Sequence, residues 1–210
     1  GPYVTNFADC TPIEVASYYG NASVMQELYQ LDPSVAKESR VLELSAHGSL
    51  ECFELCKSWS APSSLSLQVD QLFGTRCNIL TMAARGGNSD LLRSLIPSPQ
   101  SFSVSIHAGF WKELVLGACI GGDPASLDWL MEFDGSKSLL TEDVCRNTLL
   151  SYDSYEFGLP CVELKPPPAA ILKPMSLLFS ITAINPTSFV NTSTSWLGGI
   201  AIPILNLRGK

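Results

Sequence analysis

The sequence predicts an all-α protein, built as a stack of short helix–turn–helix units that is followed by an extended, apolar tail. Three observations support this prediction. A pattern of two apolar helical stripes joined by a glycine turn occurs four times in the 210 residues. The turn glycines recur at a nearly constant interval. Toward the C-terminus, residues 174–207 contain no charged residue and are rich in apolar side chains.

The clearest unit spans residues 78–96. Its first half is dense in small and apolar residues, which allow a neighbouring helix to approach closely. Gly86 and Gly87 end this helix, because a left-handed residue costs glycine almost nothing, and Asn88 is predicted to cap the next helix. The residues expected to be buried are Leu80, Met82, Ala83 and Ala84 in the first helix, and Leu91, Leu92, Leu95 and Ile96 in the second.

The same pattern recurs in residues 11–28, 41–55 and 114–131. The turn glycines are Gly20, Gly48, Gly87 and Gly122. Their steps are 28, 39 and 35 residues, with a mean of 34. One pair of short helices cannot close a core, so this period predicts that the units stack on one another. Residues 148–164 fit a truncated fifth copy, which three prolines would end.

The first copy, Thr11-Pro12-Ile13-Glu14-Val15-Ala16, resembles the T-P-L-H-x-A pattern of the ankyrin repeat family, with Glu14 at the usual histidine position. The mean spacing is close to the family's period of about 33 residues. Copies two to four lack the Thr-Pro pair, and Val41 to Gly48 is one residue short of the pattern. The resemblance covers roughly residues 7–164, including the fifth copy, and implies a solenoid of about four to five degenerate repeats.

The connecting segments are less regular. Asp32-Pro33 is predicted to start one continuous helix from Ser34 to Ala46, which accounts for the short first step. Residues 61–74 fit a strand as well as a helix. Residues 101–107 alternate between polar and apolar, as in a short extended finger.

We therefore expect a repeat domain at residues 1–164 and a tail at residues 165–210. Polar residues interrupt the tail at 185–188 and 191–195, whereas a membrane helix needs about 20 consecutive apolar residues, so no membrane span is predicted. The tail is expected to cap the end of the stack. In the alternative, residues 169–210 contact another chain or self-associate, because uncharged segments with open edges pair readily.

Charge and cysteine content limit the partners and the compartment. The net charge is −7, and the 13 Lys and Arg residues are scattered. Nucleic-acid modules concentrate basic residues, so no nucleic-acid partner is expected, and a protein with a basic or mixed surface suits the chain better. Seven cysteines without a disulfide spacing favour a reducing compartment, either the cytoplasm or the nucleus.

No group of residues predicts catalysis, a cofactor or a metal site. Cys52 and Cys56 stand four residues apart with His47 nearby, but no fourth zinc ligand is evident, and both thiols are expected to be small buried side chains. The glycine pairs lack the lysine of a phosphate loop. His107 has no local pattern that would pair it with a cysteine nucleophile.

The predicted function is a non-catalytic scaffold that binds a partner protein. It follows from the family resemblance, because ankyrin repeats bind proteins through their concave helix surface and finger loops. The predicted partner-binding residues are Glu14, Tyr18, Arg85, Phe102, His107, Phe110, Trp111 and Lys112. For Phe110 and Trp111, burial between repeats is the alternative. The alternative function is a structural subunit that makes its contact through the tail, and an enzyme is the third and least favoured class.

Overall fold

The computed structural model describes residues 11–36, 41–59, 79–96 and 108–139, together with residue 176. All regular structure within these ranges is helical, so the all-α prediction is confirmed for this part of the chain. The described residues belong to two compact units, of which the first holds residues 11–96 and the second holds residues 108–139.

Several predictions concern other parts of the chain. The undecided segment 61–74, the expected finger at 101–107, the fifth copy at 148–164 and, apart from residue 176, the tail with its boundary at residue 164 lie outside the described residues. They stay predictions.

The first unit consists, within its described residues, of three helical hairpins. The pairs are α1 (Pro12–Tyr18) with α2 (Ala22–Leu31), α3 (Val41–Gly48) with α4 (Leu50–Trp59), and α5 (Ile79–Arg85) with α6 (Ser89–Leu95). Helix α3 packs between α1 and α5, and α2 packs against α4. The first helices of the hairpins therefore form one layer, and α2 and α4 lie in a second.

The Thr-Pro pair begins α1. The Thr11 hydroxyl accepts a hydrogen bond from the Glu14 backbone N–H at 3.4 Å, and the Glu14 carboxylate accepts one from the Thr11 N–H at 2.9 Å. This reciprocal capping box satisfies two backbone donors that the first turn of a helix leaves open. Pro12 occupies the first helical position, where its missing N–H costs nothing.

Helices α1 and α5 end in the same way. Gly20 and Gly87 have φ angles of 73° and 69°, and each donates its N–H to the carbonyl three residues earlier. The asparagine that follows each glycine donates its N–H to the carbonyl five residues earlier. These two bonds form the Schellman motif, which satisfies the last carbonyls of the helix. The predicted glycine stops are therefore confirmed at both turns.

The second hairpin has a tighter turn. Helix α3 ends at Gly48, and Ser49 directly caps α4, since its hydroxyl accepts a hydrogen bond from the Cys52 N–H at 3.0 Å. This turn lacks the glycine with positive φ that follows α1 and α5. It corresponds to the copy that the sequence shows to be one residue short.

The segment before α3 departs from the predicted continuous helix. Pro33–Ala36 forms a 3-10 turn. The Asp32 carboxylate accepts hydrogen bonds from the Ser34 N–H at 3.0 Å and from its hydroxyl at 2.6 Å, and such local bonds compete with helical geometry. Residues 37–40 lie outside the described residues, and α3 begins at Val41.

The core of the first unit lies between the two layers. One cluster joins the first two hairpins and consists of Ile13, Ala16, Met25, Val41, Cys52 and Cys56. In the third hairpin, the predicted core residues of α5 are all buried, as are three of the four in α6, whereas Leu95 is half-buried. The helical stripes that the sequence predicted are therefore confirmed there.

The second unit contains, among its described residues, α7 (Ala108–Gly121), α8 (Pro124–Leu130) and the short α9 (Ser136–Leu139). Gly122 has a φ angle of 67° and makes the same turn bonds as Gly20. Asp123 then caps α8 by accepting from two backbone N–H groups. Trp111 and Trp129 each pack against Phe133, with ring centroids 4.9 Å apart.

No helix in the described ranges is both long enough and apolar enough to cross a membrane.

Candidate functional site

Hydrogen bonds from side chains join the C-terminal ends of the first-layer helices. The ring Nδ1 of His47 lies 3.1 Å from the Tyr18 carbonyl oxygen at the end of α1. The Asn88 side-chain amide donates to the carbonyls of Ala46 at 2.6 Å and His47 at 3.0 Å. Asn88 occupies the N-cap position of α6, as predicted, but its side chain makes no capping bond there and instead satisfies open carbonyls at the end of α3.

Glycines bring the backbones of these helix ends into direct contact. A Cβ atom at Gly48 would overlap the carbonyl oxygen of Ser17 and would lie 2.7 Å from the Gly20 nitrogen. A Cβ atom at Gly86 would overlap the carbonyl oxygen of His47. Only a residue without a side chain allows this approach. Because α4 starts directly after this contact, its first turn is brought next to the α1–α2 turn.

His47 lies at the centre of this contact and is uncharged at neutral pH. Its ring stacks on the Tyr18 ring, with centroids 3.9 Å apart and an angle of 10° between the planes. The pKa of His47 is lowered to about 4, mainly by burial; the bond to the Tyr18 carbonyl opposes this effect, and the nearby Arg85 charge adds to it. Since a carbonyl only accepts, Nδ1 carries the proton of the neutral imidazole.

Three of the predicted partner-binding residues are buried in the first unit. Glu14 is 4% exposed, Tyr18 is 7% exposed and Arg85 is 8% exposed. Glu14 serves the capping box, and Tyr18 belongs to the stack with His47, where burial and then Tyr19 raise its pKa while Arg85 lowers it. The structure therefore brings Tyr18 and Arg85 together around His47, but in the interior and not on an open surface.

The other predicted partner-binding residues belong to the second unit or lie outside the described residues. Trp111 is fully buried and packs against Phe133 of the same unit, so its side chain offers no open surface to a partner. Phe110 is half-buried and Lys112 is exposed. Phe102 and His107 lie outside the described residues, so for them and for Lys112 the binding role stays a prediction.

Sequence reasoning missed Tyr19, whose side chain is exposed. Its side chain is 47% exposed, although that of its neighbour Tyr18 is buried. Helical spacing does not separate the two residues, since Tyr18 follows the buried Glu14 by four positions and Tyr19 follows the buried Ala16 by three. Tyr18 is buried because its ring stacks on His47 of α3. This is a tertiary contact, which helical spacing cannot predict.

Tyr19 lines an open cleft of about 490 Å³ at the turns of the first two hairpins, which we call the turn cleft. Its lining residues are Tyr19, Gly20, Asn21, Ala22, Ser23 and Glu51. The Tyr19 ring is held edge-on against Tyr18, with centroids 5.4 Å apart and planes at 83°. The wall is also ordered by Asn21, whose side-chain oxygen accepts from the Val24 N–H at 3.2 Å and from the Ser23 hydroxyl at 3.0 Å.

A second, smaller cleft lies between the start of α1 and the end of α2. It has a volume of about 160 Å³ and is lined by Thr11, Pro12, Ile13, Leu28, Leu31, Asp32 and Val35. Its walls are largely apolar, and Leu31 beside it is 82% exposed. An apolar cavity of about 150 Å³ holds a group of the size of benzene. This cleft could hold a small apolar group, but its lining has a single carboxylate, that of Asp32, and therefore no acid–base pair.

The buried thiols of the first unit are poor nucleophiles and poor metal ligands. Burial raises the pKa of Cys56 to about 12 and raises that of Cys52 as well, so both remain protonated at neutral pH, whereas the thiolate is the reactive form. The predicted burial of both residues is confirmed. Within the described ranges, no three His, Cys, Asp or Glu side chains are grouped to hold a metal ion.

Comparisons with protein-family models, curated proteins and solved structures found no match to the chain.

Proposed function

We propose that the chain is a non-catalytic scaffold of degenerate ankyrin-type repeats that binds a partner protein in the cytoplasm or nucleus. The observation that carries this proposal is Tyr19, an aromatic side chain that is half exposed yet held in position beside an open cleft. A fixed aromatic ring offers a large contact area at low entropic cost. Such rings are enriched among the residues that dominate protein interfaces.

The construction of the hairpins supports the repeat part of the proposal. The turns after α1, α5 and α7 share a positive-φ glycine and the same pair of backbone hydrogen bonds. The first helices of three hairpins pack in chain order within one unit. In stacked repeats each unit contacts its neighbours, and the stack creates an extended surface for partners.

The state of the buried polar groups supports a function without catalysis. His47 is neutral and its Nδ1 is committed to a backbone carbonyl. The Cys52 and Cys56 thiols are held in their protonated form. In the described residues, these groups stabilise the packing between hairpins. A general base would need an accessible imidazole, and an activated nucleophile would need a thiol with a lower pKa.

Site-specific photo-crosslinking tests the proposed function. A benzophenone amino acid would replace Tyr19 in one variant and Gln26 in a control variant, since Gln26 is exposed on α2 but does not line the turn cleft. In extracts of cells that express the protein, we expect a discrete crosslinked partner from position 19 and none from position 26. Equal labelling from both positions, or none from position 19, would contradict the proposal.

A further inference from the structure

We propose that the turn cleft binds an arginine side chain on an exposed segment of the partner protein. The inference rests on the proposed function and names the chemistry of the partner. It starts from the lining of one cleft, which includes an aromatic residue, Tyr19, and an acidic residue, Glu51. A cation is attracted to the face of an aromatic ring and to a carboxylate, so a site that offers both selects for positive charge.

The fold places these two groups together although they are 32 residues apart in the sequence. Gly20 follows Tyr19 at the end of the first hairpin turn, and Gly48 precedes α4, where Glu51 lies in the first turn. The backbones of the two glycines are in contact, and a Cβ atom at Gly20 would lie 2.7 Å from the Gly48 oxygen. This contact sets the Tyr19 turn beside the start of α4.

The two groups differ in how firmly they are held. The Tyr19 ring packs edge-on against the buried Tyr18, and Tyr18 is itself stacked on His47. The Glu51 side chain is exposed, so its attraction for a cation is screened by water. The ring must therefore contribute to binding, and the site should lose affinity when either group is removed.

Charge favours a basic partner at this position. The residues that line the turn cleft include a carboxylate and no Lys or Arg, and the whole chain carries a net charge of −7. The lysine on α4, Lys57, is engaged by Glu54 at 2.9 Å. A negative cleft on an acidic protein attracts positive segments and repels phosphate backbones.

The other lining groups favour arginine over lysine. The planar guanidinium stacks on an aromatic ring while its remaining N–H groups donate to acceptors around it, which a compact ammonium group does less well. The cleft offers such acceptors in the Glu51 carboxylate and in the Ser23 hydroxyl, whose own proton is donated to the Asn21 side-chain oxygen. Its volume of about 490 Å³ lies in the range of ligand sites of about 300–1,000 Å³, so residues that flank the arginine also fit.

The test is an NMR titration of the full chain with three capped tripeptides, Gly-Arg-Gly, Gly-Lys-Gly and Gly-citrulline-Gly. Citrulline has the shape of arginine but no charge. We expect the arginine peptide to shift the amide resonances of residues 19–23 and 50–52, and to bind about tenfold more tightly than the citrulline peptide, which corresponds to about 1.4 kcal/mol. The lysine peptide should bind with intermediate affinity.

Variants of both walls complete the test. Glu51→Gln and Tyr19→Leu should each weaken arginine binding by about twofold to fivefold, whereas Glu27→Gln, an exposed carboxylate on α2 outside the cleft, should leave it unchanged. Unaltered resonances of the core would verify that each variant is folded.

Equal binding of citrulline and arginine, or unchanged binding by Glu51→Gln, would overturn the inference. These results would leave the proposed function standing, because that proposal is tested by crosslinking from position 19 and does not depend on the charge of the ligand.

Discussion

At the scale of single residues, His47 shows how packing determines chemistry. In the sequence, His47 lies near Cys52 and Cys56, and such a group suggests metal binding or catalysis. The ring instead stacks on Tyr18 and bonds to the Tyr18 carbonyl. The ring is half-buried, and its desolvation makes the neutral form the stable one at neutral pH, which has a consequence for stability at low pH.

We expect acid to destabilise the fold through His47. Its pKa is about 4 in the folded chain and about 6.5 in the unfolded chain. Between these values the unfolded chain binds a proton that the folded chain does not, so this contribution is fully present above pH 6.5 and is lost as the pH falls toward 4. The loss at pH 4.5 relative to pH 7 is about 2–3 kcal/mol.

Urea unfolding of the wild type and of His47→Gln at pH 7 and pH 4.5 measures this loss. Other groups titrate in the same range, so the relevant quantity is the difference between the two proteins. The pH dependence of the free energy of unfolding should be smaller in the variant by about 2–3 kcal/mol. An identical pH dependence in both proteins would show that His47 titrates with an ordinary pKa.

Asn88 gives a second prediction at this scale. Its side chain donates to two carbonyls of α3, and an aspartate at this position would keep a helix-capping oxygen but would have no N–H to donate. Asn88→Asp should therefore lower the free energy of unfolding by about 1–3 kcal/mol, no less than Asn88→Ala does. If capping of α6 were its main role, the aspartate variant would retain nearly full stability in the same denaturation experiment.

At the scale of helices, glycines allow the backbones of α1, α3 and α5 to come into contact at their C-terminal ends. Gly48 contacts Ser17 and Gly20, and Gly86 contacts His47. A methyl group at either glycine would meet backbone atoms, which move less readily than the end of a flexible side chain. The layer of first helices therefore depends on residues that contribute no side chain to the core.

Gly48→Ala is expected to destabilise the first unit. The new Cβ would force α3 away from α1, and overpacking of this kind costs about 1–3 kcal/mol or more. Gly109→Ala is the matched control, because it also lies in a helix but has no atom near its Cβ position. Alanine there should be neutral or stabilising by up to about 1 kcal/mol. Thermal unfolding followed by circular dichroism compares the two, and similar melting temperatures would contradict the steric argument.

At the scale of the whole molecule, the open question is whether the chain acts alone or as a subunit. The proposed scaffold binds its partner transiently, whereas the alternative buries the tail against another chain. The described residues belong to two compact units, each with its own apolar core, and the structure describes only residue 176 of the tail. Mass in solution separates the two functions directly.

We expect light scattering to give the mass of one 22.7 kDa chain across a tenfold range of concentration. A permanent assembly would have a multiple of this mass, because stable interfaces persist on dilution over such a range. If a dimer is found, the same measurement without residues 169–210 shows whether the tail forms the contact. A dimer that disappears on truncation would favour the structural subunit over the scaffold.

Much of the local structure follows from the sequence alone. Backbone preferences determine the helix stops at Gly20, Gly87 and Gly122 and the start of α1 at Thr11-Pro12. Helical periodicity determines the buried stripe of α5. Both act between residues close in the chain. The shortened turn after α3 can also be read from the sequence, because the copy from Val41 to Gly48 is one residue shorter than the pattern.

The candidate site depends on contacts that only the tertiary structure provides. Tyr18 and Tyr19 are equivalent by local rules, and the stack with His47, 29 residues away, buries one and leaves the other exposed. Asn88 turns from its own helix to α3 because two open carbonyls lie within reach there. Glu51 joins Tyr19 through the contact between Gly20 and Gly48. Local sequence therefore determines where each helix begins and ends, and long-range packing decides which side chains remain available to a partner, because burial is a property of the neighbours and not of the residue itself.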